Sequence, residues 1–138
     1  MTLHLVKLCV GADAIEDLER WRDTIAPGGG LMPHDTRMTP KRAEELLDGG
    51  SLYWVIRRVI QCRQEIVDLS EFTDDAGVKR CRIWLSGEIV RTQLQGKRPF
   101  QGWRYLKPAD APADAGESAG GEDLPPDLRR KLIELGAW

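Results

Sequence analysis

The chain has 138 residues and a net charge of −2, a length typical of one domain with a sizeable hydrophobic core. Its longest apolar run, Leu52–Ile56, is far shorter than the ~20 residues that a membrane-spanning helix needs. The three cysteines are odd in number and widely spaced, which is not the pattern of a disulfide framework. We therefore expect a cytoplasmic protein that does not associate with membranes.

The charges are unevenly distributed along the chain. Residues 1–36 carry three basic and six acidic residues, residues 37–107 carry fourteen and nine, and residues 108–138 carry three and seven. A basic middle segment between acidic flanks can produce a positive surface even when the whole protein is slightly acidic. The pattern indicates an anionic partner if the central cations share one face.

The N-terminal part predicts a short strand followed by a helix. Leu3–Val10 is rich in aliphatic residues and ends at a glycine, as a strand does. Asp13 followed by Glu16 is a variant of the capping box, and apolar residues continue at helical spacing to Ile25. We expect the helix to start at Asp13 and to place Trp21 in the core.

A second helix is predicted after Thr39, which can cap exposed backbone amides, with Pro40 at the first helical position. The pair Gly49-Gly50 then ends it. Between the two helices, His34-Asp35 resembles half of an acid–base pair. Because no nucleophile is tied to it, a polar loop is the better interpretation.

The chain from Ser51 onwards has the pattern of β structure. Leu52–Ile56 fits a central strand covered on both faces, and Arg57-Arg58 fits a bend. Alternating patterns predict a meander of further strands at 60–67, 80–85, 88–93 and 103–106.

The C-terminal part is predicted to leave the domain. We expect a single α+β domain at residues 1–108, a flexible acidic linker at 109–123 and a C-terminal helix at 124–138. The helix would pack on the domain or on a partner. The oligomeric state stays open, with a weak case for a dimer through this helix.

The segment Gly96–Lys107 interleaves four basic residues with three aromatic residues. Cations neutralise phosphates and aromatic rings stack on bases, so the combination favours nucleic acid. The same residues also fit a strand edge with core aromatics and solvated cations. We expect Lys97, Arg98 and Arg104 to surround one exposed aromatic residue, with Trp103 as the first choice.

Neighbouring strands extend this candidate surface. Tyr53 and Trp54 point to opposite sides of one strand, so one of them can face the core while the other lines a cavity. Three further arginines, Arg80, Arg82 and Arg91, could extend a basic groove, although a charge run also fits a solvated face. The candidate ligand-binding residues are Tyr53, Arg57, Arg63, Lys97, Arg98, Phe100, Trp103, Arg104 and Tyr105.

Catalytic and metal chemistry have little support in the sequence. Its two histidines form no metal-binding spacing, and His4 and Cys9 fall on opposite faces of a predicted strand. We therefore predict no catalytic residue, metal ion or cofactor, and we favour a binding module over an enzyme. A hydrolase would need a carboxylate such as Glu65 or Glu88 to meet a lysine or threonine in a barrel pocket.

Three blocks of the sequence, Leu5–Gly11, Leu46–Ile56 and Arg98–Pro108, resemble an uncharacterised bacterial family catalogued as a domain of unknown function. The resemblance spans nearly the whole chain and implies no activity or site residue. The order of a helix ending in Gly-Gly, a strand and a meander that closes with an aromatic-basic segment is similar to PUA-like β-barrels, including ASCH and EVE domains. That likeness implies a small mixed or antiparallel, partly closed β-barrel with two or three peripheral helices, and it implies binding of RNA or modified bases.

We therefore expect an RNA-binding or modified-nucleotide-binding module that uses a basic and aromatic surface. Two other classes stay open. One is a small-molecule hydrolase with a polar barrel pocket, and the other is a non-catalytic interaction protein whose terminal helix docks on a partner or on a second copy.

Overall fold

The computed structural model describes residues 2–27, 30–98 and 100–115. The fold is α+β, as the sequence predicted. The later part of the predicted linker and the predicted helix at 124–138 lie outside the described residues. The elements are β1 (His4–Leu8), α1 (Ile15–Ile25), β2 (Met32–Thr36), α2 (Ala43–Leu46), β3 (Ser51–Ile56), β4 (Val59–Thr73), β5 (Lys79–Leu85), β6 (Val90–Gly96), β7 (Trp103–Leu106) and a 3₁₀ turn at Pro108–Asp110.

The strands of the described chain form a seven-stranded sheet in the order β2-β5-β4-β3-β1-β7, with β6 also paired to β4. Strands β1 and β3 are parallel, and the other pairs are antiparallel. The long strand β4 belongs to two parts of the sheet, because its first half pairs with β3 and β6 and its second half pairs with β5. The sheet is not closed, since β2 and β7 end this order.

Strand β3 lies between β1 and β4, and all six of its residues are buried. This confirms the predicted central strand covered on both faces. Arg57 and Arg58 join it to β4 in a two-residue hairpin, with φ angles of 52° and 66°. Both residues are therefore in the left-handed region, as a type I′ turn requires.

The two faces of the sheet support two hydrophobic clusters. We call the first the large core. It contains Leu5 and Trp54 and packs against Ile15 and Leu18 of α1. We call the second the small core, and its buried residues are Val6, Tyr53, Val55, Ile60 and Leu106. Because side chains alternate along a strand, adjacent residues enter different cores, as predicted for Tyr53 and Trp54.

Helix α1 starts later than predicted. Its N-cap is Ala14, and the carboxylate of Asp17 accepts hydrogen bonds from the backbone N–H groups of Asp13 (2.8 Å) and Ala14 (3.2 Å). The Asp17 side chain thus reaches back to the amides that precede the helix, and Asp13 does not act as the N-cap. Trp21 is 37% exposed and lies beside Gly11, so the prediction that it belongs to the core is wrong.

Helix α2 is a single short turn that leads into β3. The hydroxyl of Thr39 donates to Glu71 at 3.3 Å instead of capping the helix. Gly50 follows this turn at a crowded position. An added Cβ there would lie 2.2 Å from the carbonyl oxygen of Leu3 and 2.4 Å from that of Leu46. Only glycine fits this entry to the central strand.

Two strand connections differ from the predicted meander. The sequence around His34-Asp35 forms strand β2, which pairs with β5, instead of a polar loop. Strand β7 pairs with β1 instead of continuing from β6. Strand β6 therefore pairs with β4, whereas β7 lies at the end of the strand order beside β1.

The first part of the predicted linker, residues 109–115, lies along β6. The backbone N–H of Gln93 donates to the carbonyl of Ala113 at 2.8 Å, and that of Ala115 donates to the carbonyl of Arg91 at 2.9 Å. Asp114 between them forms an isolated β-bridge with Thr92. The helices of the described chain are all too short or too polar to cross a bilayer.

Candidate nucleic-acid interface and a neighbouring pocket

Several cations of the basic middle segment lie beside carboxylates, so the fourteen central cations do not act as one surface. Within the described chain, the paired central cations are Arg42 with Glu45, Arg57 with Asp13, Arg63 with Asp114, Arg80 with Asp74, Arg82 with Asp35, and Arg91 with Glu16 and Glu19. The pairs are spread over several strands, helices and turns, and each carboxylate reduces the positive potential around its cation.

A group of cations without such partners lies around Phe100. The guanidinium carbon of Arg104 is 5.5 Å from the centre of the Phe100 ring, and Nζ of Lys97 is 6.0 Å from it. Among the described residues, neither cation has a carboxylate within 4.0 Å. Arg98, next to Lys97, is exposed. We call Lys97, Arg98, Phe100 and Arg104 the Phe100 surface.

The small core supports the Phe100 surface from below. Phe100 is partly buried and packs against the small core, which also contains Leu106. Arg104 is two residues before Leu106 on β7, so the two side chains leave the strand on the same face. The backbone N–H of Lys97 donates to the carbonyl of Arg58 at 2.8 Å, which holds the end of β6 against the turn before β4.

Trp103, the first choice for the exposed aromatic residue, is only 8% exposed and belongs to the large core. Its indole N–H donates to the carbonyl of Met38 at 2.9 Å. Tyr105 follows on the same face of β7 and contacts Trp103 edge-on, with 4.9 Å between ring centres. The alternation along β7 therefore removes Trp103 from the surface, and Phe100 is the aromatic residue that the cations surround.

Tyr105 is 36% exposed, but its hydroxyl has a structural role. It accepts hydrogen bonds from the backbone N–H groups of Lys41 (3.0 Å) and Arg42 (3.2 Å), just before α2. The guanidinium of Arg42 lies over the same ring, 5.6 Å from its centre. Tyr105 thus joins β7 to the segment before α2, on the face opposite the Phe100 surface.

Tyr53 and Arg63 line a pocket that contains none of the residues of the Phe100 surface. The pocket has a volume of about 330 Å³ and lies between the sheet and residues 108–114. Arg63 donates from Nε and Nη2 to the two carboxylate oxygens of Asp114, both at 2.8 Å, and from Nη1 to Oγ of Ser51 at 3.0 Å. His4 also lines the pocket, with its ring edge-on to that of Tyr53 at 5.1 Å.

Hydrogen bonding fixes the state of His4. The backbone N–H of Ser51 donates to His4 Nδ1 at 3.0 Å, so the neutral ring carries its proton on Nε2. Burial, with a smaller effect from the charge of Arg63, lowers the pKa of His4, and the ring is therefore neutral near pH 7. Burial also raises the pKa of Tyr53, which keeps its hydroxyl protonated.

The pocket does not contain a Ser–His catalytic pair among the described residues, because the Ser51 hydroxyl accepts from Arg63 while only the Ser51 backbone contacts His4. Glu65 and Glu88, the carboxylates that a hydrolase would need, are exposed and do not line this pocket. The described part of the chain contains no group of three or more His, Cys, Asp or Glu residues placed to hold a metal ion.

The large core contains a buried polar network that the sequence did not reveal. The indole N–H of Trp54 donates to Gln64 Oε1 at 2.9 Å, and Gln64 Nε2 donates to the carbonyl of Ser86 at 2.9 Å. His34 lies edge-on to Trp54, 5.0 Å between ring centres, and its buried Nε2 has no hydrogen-bond partner among the described residues. Burial, with a smaller effect from Lys7, lowers the pKa of His34 to about 4.

The three cysteines are reduced and buried. Burial raises the pKa of Cys9 to about 11 and that of Cys62 to about 12. Burial raises the pKa of Cys81 as well. Since the thiolate is the reactive form, these residues behave as small apolar core residues.

Fold and site together define an α+β protein with an open sheet, a cation–aromatic surface and a separate polar pocket. The chain belongs to the family described as "Protein of unknown function (DUF1489)", whose model matches residues 5–138. This confirms the resemblance to an uncharacterised family, but it brings no activity to the residues above. No curated protein and no solved structure matches the chain, and the PUA-like likeness therefore has no support from these comparisons.

Proposed function

We propose that the protein binds single-stranded RNA, including modified nucleotides, through the Phe100 surface. The observation that carries the proposal is the position of Lys97 and Arg104 around the Phe100 ring, with no carboxylate of the described residues within 4.0 Å of either cation. Such cations can neutralise phosphates, while the ring and the plane of the guanidinium can stack on bases.

A second cation–aromatic group, Arg82 over Phe72, differs from the Phe100 surface in its charge. The guanidinium of Arg82 lies 4.5 Å from the centre of the Phe72 ring, closer than either cation lies to Phe100. However, Arg82 also donates to both carboxylate oxygens of Asp35, at 2.8 and 3.1 Å. Its charge is therefore already neutralised, whereas Lys97 and Arg104 have no carboxylate partner in the described part of the chain and can meet a polyanion.

The neighbouring turn gives further support. A type I′ turn favours Asn-Gly, because non-glycine residues in the left-handed region cost about 1 kcal/mol each. This chain places Arg57-Arg58 there instead, and the Arg57 side chain is 70% exposed, with a single contact to Asp13 at 3.5 Å that is longer than the two-point contact of Arg82. The carbonyl of Arg58 accepts a hydrogen bond from the backbone N–H of Lys97, a residue of the Phe100 surface. A local stability cost of this kind is expected where a side chain contributes to binding.

The proposal includes the partly closed, PUA-like barrel and a cytoplasmic location. The indole of Trp103 contacts the carbonyl of Met38, and the hydroxyl of Tyr105 contacts the backbone before α2. Side chains of the edge strand β7 thus reach the segment that follows β2, at the other end of the strand order. These contacts support closure by side chains in place of a β-ladder, and the bacterial origin stays an expectation of the sequence.

The test is fluorescence anisotropy with fluorescein-labelled single-stranded RNA of random sequence, repeated at several salt concentrations. We expect the Kd to rise steeply with salt, by about 0.7 log units per log unit of salt for each phosphate neutralised. Phe100→Ala should weaken binding by about 1–3 kcal/mol, the contribution of one stacked base. Arg104→Ala should weaken binding and lower the salt slope by about one phosphate.

The matched control is Arg82→Ala, which removes the same charge from a cation–aromatic contact that is already neutralised. Its Kd should stay close to that of the unmodified protein. Equal losses in Arg104→Ala and Arg82→Ala would show that only net charge matters and would refute the Phe100 surface as the site. Failure to bind any RNA or DNA pool at low salt would refute the proposed function itself.

A further inference from the structure

The pocket beside Arg63 is separate from the Phe100 surface and has a different chemistry. We propose that it binds a small carboxylate-containing molecule, and that Asp114 occupies the carboxylate position in the absence of this ligand. The proposal does not depend on RNA binding, since it uses none of the residues assigned to that function.

The Arg63–Asp114 contact has the geometry of carboxylate recognition. Two parallel N–H groups of the guanidinium meet the two oxygens of the carboxylate, both at 2.8 Å. The Ser51 hydroxyl accepts from the third nitrogen at 3.0 Å and fixes the direction in which the guanidinium plane points. A guanidinium oriented in this way recognises a planar carboxylate better than it recognises a point charge.

The rest of the pocket supplies hydrogen-bond donors. Neutral His4 carries its proton on Nε2, because Nδ1 accepts from the Ser51 backbone. Tyr53 lines the pocket, and its hydroxyl has no hydrogen-bond partner among the described residues. Asp114 is the anionic group of the lining, so a ligand that displaces it must bring an anion of its own. The further oxygens of such a ligand would accept from Tyr53 and His4.

Asp114 can leave Arg63 without unfolding its segment. Its side chain is 47% exposed, whereas that of Arg63 is 24% exposed. The backbone on either side is held to β6 by Ala113 and Ala115, so a change of side-chain rotamer is enough to open the site. The volume of about 330 Å³ is at the lower end of the range for small-molecule sites and suits a short dicarboxylate rather than a large cofactor.

The experiment is an NMR titration of the arginine Nε–H signals with sodium succinate, at constant ionic strength set by sodium chloride. The Arg63 signal is assigned by its loss in Arg63→Lys. In Asp114→Ala, we expect a saturable shift of this signal and a succinate Kd at least 10-fold lower than in the unmodified protein, because no internal carboxylate competes. The absence of a saturable shift in folded Asp114→Ala would overturn the proposal.

The matched control is Asp35→Ala, which frees Arg82 from a similar two-point contact between side chains that are 37% and 40% exposed. A specific site predicts that the Arg82 signal does not saturate with succinate, whereas equal binding at Arg63 and Arg82 would overturn the proposal. A parallel titration with sodium phosphate tests the ligand class. Tighter binding of phosphate than of succinate would overturn the carboxylate assignment.

Two further variants keep the test independent of folding defects. Asp114→Asn preserves size and should also bind succinate more tightly than the unmodified protein. In the Asp114→Asn background, Tyr53→Phe keeps the ring and removes only the hydroxyl, and it should weaken succinate binding about 2- to 10-fold, the effect of one hydrogen bond. An unchanged Kd would show that succinate binds Arg63 outside the pocket and would overturn the proposal.

Discussion

The two faces of the β1–β3–β7 part of the sheet use their polar and aromatic residues in opposite ways. On the large-core face, the indoles of Trp54 and Trp103 donate inward, to Gln64 and to the carbonyl of Met38. On the small-core face, Arg104 and Arg63 lie at the margins of a smaller apolar cluster, next to an exposed surface and a pocket. The large-core face thus uses its polar groups inside the fold, whereas the small-core face carries the polar groups on which both proposals rest.

The largest expected effect tests the structural role of the large-core face. Trp103→Ala should lower the free energy of unfolding by about 3–5 kcal/mol, because it empties a buried site and removes the hydrogen bond to Met38. Trp21→Ala is the control, since Trp21 is 37% exposed and should cost about 1 kcal/mol. Urea denaturation followed by circular dichroism measures both. Similar losses would contradict the burial that separates the two tryptophans.

The next effect concerns the pH dependence of stability and arises from His34. Its pKa falls from 6.5 to about 4 on folding, so the unfolded state binds more protons between these values. The contribution of neutral His34 to the free energy of unfolding is fully present above pH 6.5. It is lost progressively as the pH falls towards 4, by about 3 kcal/mol in total. Urea denaturation at pH 7, 6, 5 and 4.5 measures this loss.

Other groups titrate in ways that can be separated from His34. The pKa of His4 is also lowered on folding, so His4 likewise makes the protein less stable as the pH falls. Asp17, Asp74 and Asp114, whose pKa values are lowered from 3.8, lose their contributions only below about pH 4. The variant His34→Phe should therefore remove most of the slope between pH 6.5 and 4.5. An unchanged slope in this variant would assign the pH dependence to other groups.

A third prediction addresses the cost of the turn on the small-core side. Replacing Arg57-Arg58 by Asn-Gly should raise the free energy of unfolding by about 1–2 kcal/mol, because these residues suit the left-handed conformation. The same change should weaken RNA binding if Arg57 contributes to it. Arg57→Ala is the control, since it removes the charge without relieving the backbone. A gain in stability without any loss of RNA affinity would remove the turn from the proposed interface.

The smallest effect separates binding from stability on the Phe100 surface. Arg104→Ala should change the free energy of unfolding by no more than about 0.5 kcal/mol, because Arg104 is an exposed residue without a carboxylate partner in the described chain. Arg82→Ala loses a two-point contact with Asp35 and should cost up to about 1 kcal/mol. Thermal unfolding of the two variants measures which one loses more stability. The reverse order would indicate that Arg104 holds the fold together.

The sequence predicted those elements whose signal is local. Leu52–Ile56 is an uninterrupted apolar run, and the structure places it in the centre of the sheet. Strand β2 has no such signal, because Pro33, His34 and Asp35 interrupt any apolar pattern and the strand forms only through pairing with β5. The shift in the start of α1 is small and has a local cause, because the Asp17 carboxylate accepts from the backbone amides of Asp13 and Ala14 and Ala14 becomes the N-cap.

The candidate sites depended more strongly on non-local information. The cations of the Phe100 surface were predicted from composition, but the choice between Phe100 and Trp103 depends on which face of β7 meets the large core. That orientation is set by pairing with β1, which the local pattern does not encode. The sequence named Tyr53 and Arg63 as candidate ligand-binding residues, but it did not predict their contact with Asp114, which lies 51 residues beyond Arg63 and within the predicted linker.

The pairing of β7 with β1 also has a consequence for how the chain is made. During synthesis, β1 can pair with β3 once Ile56 has left the ribosome, but its other edge has no strand until Leu106 emerges. An open strand edge is a template for association with other chains. Lys7 lies on that edge, and a charged residue there opposes such association. We therefore expect Lys7 to protect strand β1 of the nascent chain from association until β7 pairs with it.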